Sequence, residues 1–423
     1  FSVFLLYDQT GKSKKTIFMT VLCRIPQHTA SENDSTFLTP FLIFICYLCN
    51  NMKKIAENIA EHALRLLSRL PLRLLYVLSD VCFPVVYYAV RYRRAVVRDN
   101  ITQCTFCLGV ITFVFPREKR RLERRFYRFF CDYTVETIKL ITITPEEMKR
   151  RMVIEGTEEV ERSLDSHPFV FLYLGHYCNW EWISSMPLWR SRPDVHFAQI
   201  YRPLKSPLFD RVFMQMRTRF GAENISKYDT LRRIVRMKKE GQRSVVGFIS
   251  DQSPNGNSIH DWVPFFHRET PVFTGTERIG KKMDAAIYFA DVRRLRRGYY
   301  HLRLRPVTDN IRSFEDYRLT EYYMEELERM IRRQPHLWLW SHKRWKHRRG
   351  DFWERPVKRP ARQHPPLRKK NTNTYYYHYG QADHDSAAHR QPAPADGRER
   401  TLGLRHPHPR PAQQRISAGP VGR

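Results

Sequence analysis

The chain has 423 residues, 42% hydrophobic and 13% aromatic, a composition that excludes a disordered chain without a core. The formal net charge of +30 indicates an anionic partner: nucleic acid, anionic lipid or an acidic protein. No Walker A pattern and no G-x-G-x-x-G occurs, so no nucleotide-binding loop is predicted. The eight cysteines complete no zinc-ligand set, and free thiols in a reducing compartment are the simplest interpretation.

The N-terminal part of the chain divides at Met52. Residues 1–51 lack the coherent pattern that begins at Met52, and we interpret them as a non-native or upstream leader, with a weak signal or anchor segment as the alternative. Residues 52–98 are the predicted membrane-anchoring segment. Leu70 to Val90 is mostly apolar and about long enough to cross a bilayer. Its internal charges and prolines fit an interfacial segment equally well, and an ordinary buried helix is a further alternative. The arginines between Arg91 and Arg98 favour the anionic cytoplasmic leaflet.

Residues 99–355 form the predicted main domain. Residues 117–153 have the apolar stripe of amphipathic helices, and from 154 to about 310 strand patterns alternate with helix patterns. The predicted strands are Phe169–Leu174, Val195–Ile200, Ser244–Ile249, and a hairpin of Ala285–Val292 and Tyr299–Val307. The fold class is therefore α/β, with a mostly parallel sheet flanked by helices and an antiparallel edge.

Residues 356–423 differ in character from the rest of the chain. Pro, His, Arg and Gln dominate, and aliphatic periodicity is absent. Such a composition buries too little apolar area to offset the entropy of ordering the chain, so we predict a disordered basic tail. Because this tail carries much of the excess charge, the net charge of the whole chain says little about function.

The polar cluster after Phe169–Leu174 is the candidate catalytic site. The run FVFLYL ends at Gly175, and His176 and Glu181 follow within a few residues. In open α/β sheets, chemistry takes place beyond the carboxyl ends of the strands. We expect His176 to be the general base and Glu181 to accept its other ring hydrogen. The two can meet only where a turn leads into a helix. A purely structural role for both residues is the alternative.

The sequence GHYCNWE at 175–181 resembles the G-H-x-G-N-W-E motif of the bacterial lipid A biosynthesis (late, or secondary) acyltransferases. These enzymes are part of a lysophospholipid-acyltransferase-like superfamily with a His-x4-Asp/Glu motif. The likeness runs from about Met52 to Trp353, and Cys178 stands where glycine is usual. Further matching motifs are Tyr201-Arg202-Pro203, Phe209-Asp210-Arg211, Arg219-Phe220-Gly221-Ala222, Asp251-Gln252, Pro264-Phe265-Phe266, Thr274-Gly275 and Trp338 to Trp345.

This resemblance implies a glycerolipid acyltransferase-like fold and an enzyme of the cytoplasmic face of the inner membrane. It implies an acyl carrier protein as donor and a hydroxyl of a lipid A precursor or related glycolipid as acceptor, without metal, cofactor or nucleic acid. The catalytic pair would be His176 and Glu181. The implied substrate-binding residues are Asn179, Trp180, Arg202, Asp251, Gln252, Thr274, Gly275 and Arg344.

Three alternatives remain open at this point. The acceptor could be another membrane lipid. Cys178 could be a nucleophile with His176 as its base, as in a thioesterase or amidase. The basic stretch from Arg117 to Arg128 could belong to a non-enzymatic protein that binds nucleic acid or anionic membranes, although no nucleic-acid-binding motif accompanies it.

Overall fold

The computed structural model describes residues 54–104 and 116–351, which all belong to one compact unit. The predicted leader, 1–51, and the predicted tail, 356–423, lie outside the described residues.

Three helices lie within residues 54–104. Helix α1 covers residues 54–69. Helix α2, Leu72–Pro84, begins after Pro71 and continues as a π-helical turn over Val85–Ala89. Helix α3 is Arg94–Cys104. Within the described ranges, Leu72–Ala89 is the one helix with the length and hydropathy to cross a membrane.

Helix α4, Pro116–Lys139, packs antiparallel against α2. The Ser79 hydroxyl donates to Asp132 at 2.7 Å, and the rings of Tyr87 and Tyr127 lie 5.3 Å apart. One face of α2 is therefore bound to the body of the protein, while its other face is exposed.

The sheet has seven strands in the order β1-β9-β8-β2-β5-β3-β4. Its strands are β1 Met152–Glu155, β2 Phe169–Leu174, β3 His196–Tyr201, β4 Glu223–Ser226, β5 Ser244–Ile249, β8 Ala286–Arg296 and β9 Tyr299–Thr308. A separate antiparallel pair comprises β6 Asp261–Phe265 and β7 Arg268–Val272. Strands β5 and β8 pair with β2 on either side, and every residue of β2 is buried, on both faces of the sheet. Such enclosure is why the strand is a continuous apolar run.

The sequence prediction of a mostly parallel α/β sheet is confirmed. Strands β8 and β9 form the predicted antiparallel hairpin, turning at Gly298, whose φ is +72°. The short strand β1 pairs in parallel with β9, so the two strands at this edge of the sheet run opposite to the other five. The remaining helices are α5 Pro145–Arg151, α6 Thr157–Ser163, α7 Pro207–Thr218, α8 Thr230–Lys239, α9 Gly275–Met283 and α10 Arg318–Arg333.

Three loops lie together at the carboxyl-terminal edge of the sheet, where neighbouring parallel strands end. Strands β2, β5 and β3 are adjacent and parallel, so their carboxyl ends meet. The residues that follow these strands are Gly175, Ser250 and Arg202. The antiparallel bridge between Tyr177 and Trp338 brings the segment after α10 to the same edge.

Candidate active site

The loop after β2 is held close to the sheet by a glycine. A Cβ added at Gly175 would lie 2.6 Å from the Leu327 side chain of α10. A side chain therefore fits there only if the Leu327 side chain moves, and the chain turns directly into His176. The backbone N–H of His176 donates to Asp251 Oδ2 at 2.9 Å, which ties the start of this loop to the end of β5.

The imidazole of His176 has a carboxylate partner in Asp251. His176 Nδ1 lies 2.5 Å from Asp251 Oδ1. Asp251 Oδ2 also accepts from the Trp338 indole at 2.9 Å. Both carboxylate oxygens are thus engaged, and His176 is held by its backbone and its ring at once. This arrangement fixes the ring with Nδ1 toward Asp251 and Nε2 away from it.

Asp251 is an ionised carboxylate despite its burial. Burial alone would raise its pKa, but the charge and hydrogen bonds of His176, with the Trp338 indole, outweigh that effect and lower the pKa to about 2. A buried carboxylate in this state can stabilise a positive charge on the adjoining imidazole.

The Nε2 side of His176 is the open side. The His176 side chain is 19% exposed, whereas the Asp251 side chain is 2% exposed. The amide nitrogen of Gln252 lies 3.2 Å from Nε2, and the Trp180 indole packs edge-on against the ring at a centroid distance of 5.2 Å. A substrate hydroxyl would therefore approach His176 at Nε2, beside Gln252.

The structure corrects the expected contact between His176 and Glu181. Both Glu181 oxygens accept from Arg217 of α7, each at 2.7 Å; the Glu181 side chain is buried and that of Arg217 is partly buried. The predicted turn into a helix is present, since a 3-10 helix runs from Trp180 to Trp189. That helix directs Glu181 toward α7, while Asp251 occupies the position beside the imidazole.

Asn179, expected to bind substrate, is buried and makes structural contacts. Its side-chain oxygen caps the 3-10 helix by accepting from the Trp182 N–H at 3.2 Å. Its side-chain nitrogen donates to Glu136 Oε2 at 2.8 Å. Trp180, also expected at the site, stacks on Tyr133 at 4.2 Å and forms one wall beside His176.

Glu136 is a residue that sequence reasoning missed. Its carboxyl accepts from the hydroxyls of Tyr76 and Tyr300, at 2.8 and 2.7 Å, as well as from Asn179. Burial raises its pKa, a change that Arg294 and these donors only partly offset. The sequence does contain a signal for this residue. Glu136 shares a helix face with Phe129 and Tyr133, so an acidic side chain lies on the apolar stripe of an amphipathic helix.

Cys178 is not placed as a nucleophile. Its side chain is fully buried, and burial raises the pKa of its thiol well above the usual value. Its backbone has a φ of +53°, the left-handed conformation that favours glycine. This geometry explains why the related motif has glycine at the position.

Of the other predicted residues, Asp251 and Gln252 lie directly at His176, and Arg202 is exposed immediately after β3. Thr274 precedes α9 and Gly275 begins it. The next residue, Thr276, reaches the site edge through its hydroxyl, 3.1 Å from that of Ser250.

Arg344 is fully buried, and its three guanidinium nitrogens have no hydrogen-bond partner within the described part of the chain. Burial lowers its pKa to about 10, while the negative charge of Asp251 acts in the opposite direction. Its guanidinium lies 5.9 Å from the Phe265 ring centroid. His342, close by, accepts from the Ser253 N–H through Nε2 at 3.1 Å, and burial lowers its pKa to about 3. Arg344 is thus a buried cation that interacts electrostatically with the ionised Asp251.

Most of the chain matches a known protein family. A family described as bacterial lipid A biosynthesis acyltransferase matches residues 52–347, which include helix α2, the sheet and every residue of the candidate site. A comparison with curated proteins found no match. The chain belongs to the bacterial lipid A biosynthesis acyltransferase family, and it is accordingly an acyltransferase with an acyl donor and a lipid acceptor.

Proposed function

We propose that the protein transfers a fatty acyl chain from an acyl carrier protein thioester to a hydroxyl of a lipid A precursor or related glycolipid. The reaction takes place at the cytoplasmic face of the inner membrane. The observation that carries the mechanism is the His176 ring, held by Asp251 at Nδ1 and open at Nε2.

His176 acts as the general base. With the Nδ1 hydrogen donated to Asp251, the Nε2 lone pair exchanges its contact with the Gln252 amide for the acceptor hydroxyl. It then takes the hydroxyl proton as the hydroxyl oxygen attacks the thioester carbonyl carbon. The tetrahedral intermediate then collapses, the carbon–sulfur bond breaks, and the thiolate recovers the proton from His176. General-base assistance of this kind contributes roughly 10²–10⁴ in rate.

Asp251 takes the role that the sequence suggested for Glu181. It holds the ring in the productive tautomer and stabilises the imidazolium that forms during attack. Glu181 acts indirectly, because its ion pair with Arg217 anchors the 3-10 helix that begins at Trp180. We therefore propose Glu181 as a positioning residue and His176 with Asp251 as the reacting pair.

Substrate orientation is assigned to the groups around Nε2. The Gln252 amide can donate to the acceptor oxygen or to the developing oxyanion, a type of contact that strengthens in the transition state. Arg202 is exposed at the same sheet edge and supplies positive charge for a phosphate group of either substrate. Burial lowers the pKa of Lys346, and the positive charge of Arg202 lowers it further.

The test is direct acyl transfer by the purified full-length protein. The same acyl chain is offered as the carrier-protein thioester and as the coenzyme A thioester, with a lipid A precursor, and the acceptor's mass is followed. The proposal expects a mass gain of one acyl group and a higher kcat/KM for the carrier-protein donor. Equal kcat/KM for coenzyme A would remove the donor assignment. Acylation of a phospholipid but not of the lipid A precursor would replace the acceptor.

A further inference from the structure

The first half of α4 presents arginine to solvent at each exposed position after Pro116. These residues are Arg117, Arg120, Arg121, Arg124, Arg125 and Arg128, which we term the arginine face. The positions between them, such as Leu122 and Phe126, are buried in the core. The helix therefore separates an apolar inner side from an outer side of uniform positive charge.

Acidic side chains nearby do little to neutralise this face. Glu118 lies 4.0 Å from Arg121, at the limit of an ion pair. Glu123 is buried and pairs with Arg94 and Arg98 of α3 instead. In the described ranges, none of the other five arginines has a carboxylate within ion-pair distance.

The arginines also repel one another. Like charges three or four residues apart on a helix destabilise it. Partial burial lowers the pKa of Arg125, and the neighbouring charges of Arg121 and Arg294 lower it further. A run of this kind gains stability when a polyanionic surface binds it, because guanidinium groups pair well with phosphate.

An exposed apolar stripe adjoins the arginine face. Its members lie along the outer side of α2: Leu74, Val77, Val81, Val85 and Tyr88. The arginine face meets α2 at Phe83, two residues from Val81 and from Val85 in sequence, where the Arg128 guanidinium lies 5.1 Å from the ring centroid. Apolar residues flanked by arginines match the layering of a bilayer surface, with acyl chains beneath phosphate headgroups.

We propose that the arginine face of α4 binds the anionic headgroups of membrane lipids while the apolar stripe of α2 enters the acyl layer. This proposal rests on the membrane attachment within the proposed function and extends it to a second helix. An anionic lipid surface is a better partner for this face than an acidic protein, because the arginines adjoin an exposed apolar surface. They also extend away from the site: Arg117 lies roughly 24 Å along the helix from Tyr133, which stands beside Trp180.

The test is vesicle flotation of the full-length protein. One variant carries Arg117→Gln, Arg120→Gln and Arg124→Gln. The matched control carries Arg236→Gln, Lys238→Gln and Lys239→Gln, which removes the same charge from exposed positions on α8. Each protein is mixed with phosphatidylcholine vesicles and with vesicles that also contain anionic phosphatidylglycerol. Circular dichroism confirms that both variants are folded.

We expect the α4 variant to bind anionic vesicles about 10²-fold more weakly, at roughly fivefold per cation near a charged surface. Binding to phosphatidylcholine should be unchanged, and the control should resemble the wild type. Equal losses for the two variants would overturn the proposal, as would equal losses on both kinds of vesicle. Normal vesicle binding with a raised KM for the carrier-protein thioester would make the face a protein-docking surface instead. Flotation needs no turnover, so it separates this proposal from failure of the acyl-transfer assignment.

Discussion

Two buried carboxyl groups contact the loop that carries His176, Asp251 at His176 itself and Glu136 at Asn179. Asp251 faces a titratable ring and a backbone N–H, and Glu136 faces two phenols and an amide. The pKa of Asp251 is lowered to about 2, whereas that of Glu136 is raised. Burial acts on both in the same direction, so the partners decide the outcome. We therefore assign the carboxyl paired with the imidazole to the proposed reaction. The carboxyl held by neutral donors is assigned to the stability of the fold.

The largest expected effect is the loss of activity when His176, the proposed base beside Asp251, is replaced. His176→Ala should lower kcat/KM by roughly 10²–10⁴, because the base is removed. The melting temperature should also fall, because the buried Asp251 carboxylate loses its imidazole partner. Kinetics and thermal unfolding of the same preparation test this. A folded variant with near-normal turnover would end the general-base mechanism.

Asp251→Asn should be nearly as severe, for a reason that lies in its hydrogen bonds. Oδ2 accepts two N–H groups, so the asparagine oxygen must take that place. The amide NH₂ then faces His176 Nδ1, which must accept, and the ring hydrogen moves to Nε2. A base with its lone pair on the wrong nitrogen should lose about 10²-fold or more in kcat. Wild-type kcat in this variant would show that Asp251 has no part in catalysis.

Glu136→Gln makes the same chemical change with the opposite expectation. The new carbonyl oxygen can accept from Tyr300 and Asn179, and the Tyr76 hydroxyl can rotate to accept from the NH₂. We expect kcat within a few-fold of wild type and a free energy of unfolding lower by about 1 kcal/mol. Urea unfolding and steady-state kinetics provide the measurement. A kcat loss equal to that of Asp251→Asn would erase the distinction between the two carboxyls.

The sequence was sufficient for the five longest strands of the sheet and for the place of the candidate site, because both depend on local pattern. The four-residue strands β1 and β4 were not predicted. The run FVFLYL fits a buried strand, and the polar residues after it lie at its carboxyl end. The partner of His176 was not accessible in this way. Asp251 is 75 residues away, and the two meet because β2 and β5 pair with Leu174 opposite Ile249. Short spacing favoured Glu181, whose direction depends on the 3-10 helix and on Arg217.

Lowering the pH should change the contributions of the two carboxyl groups to the unfolding free energy in opposite directions. The pKa of Asp251 is lower in the folded state than its ordinary value of 3.8, so its stabilisation is complete above that value and is lost as the pH falls toward about 2. The loss should amount to about 2 kcal/mol. Glu136 has the opposite sign, because a raised pKa favours folding at low pH. Unfolding free energies of wild type and Asp251→Asn should therefore converge between pH 4 and 2. A constant difference would contradict the assignment.

The smallest effect concerns the backbone of the loop between the two carboxyls. Cys178 has a φ of +53°, which costs a non-glycine residue about 1–2 kcal/mol. In Cys178→Gly this strain disappears, but a buried thiol is lost and the unfolded chain gains freedom, so the unfolding free energy should stay within about 1 kcal/mol of wild type. Cys178→Ser keeps the strain and buries a hydroxyl, so it should be less stable by about 1–3 kcal/mol. Both should retain kcat, because the proposed mechanism has no covalent acyl-enzyme. A Cys178→Ser protein with normal stability and no turnover would make the thiol a nucleophile and replace that mechanism.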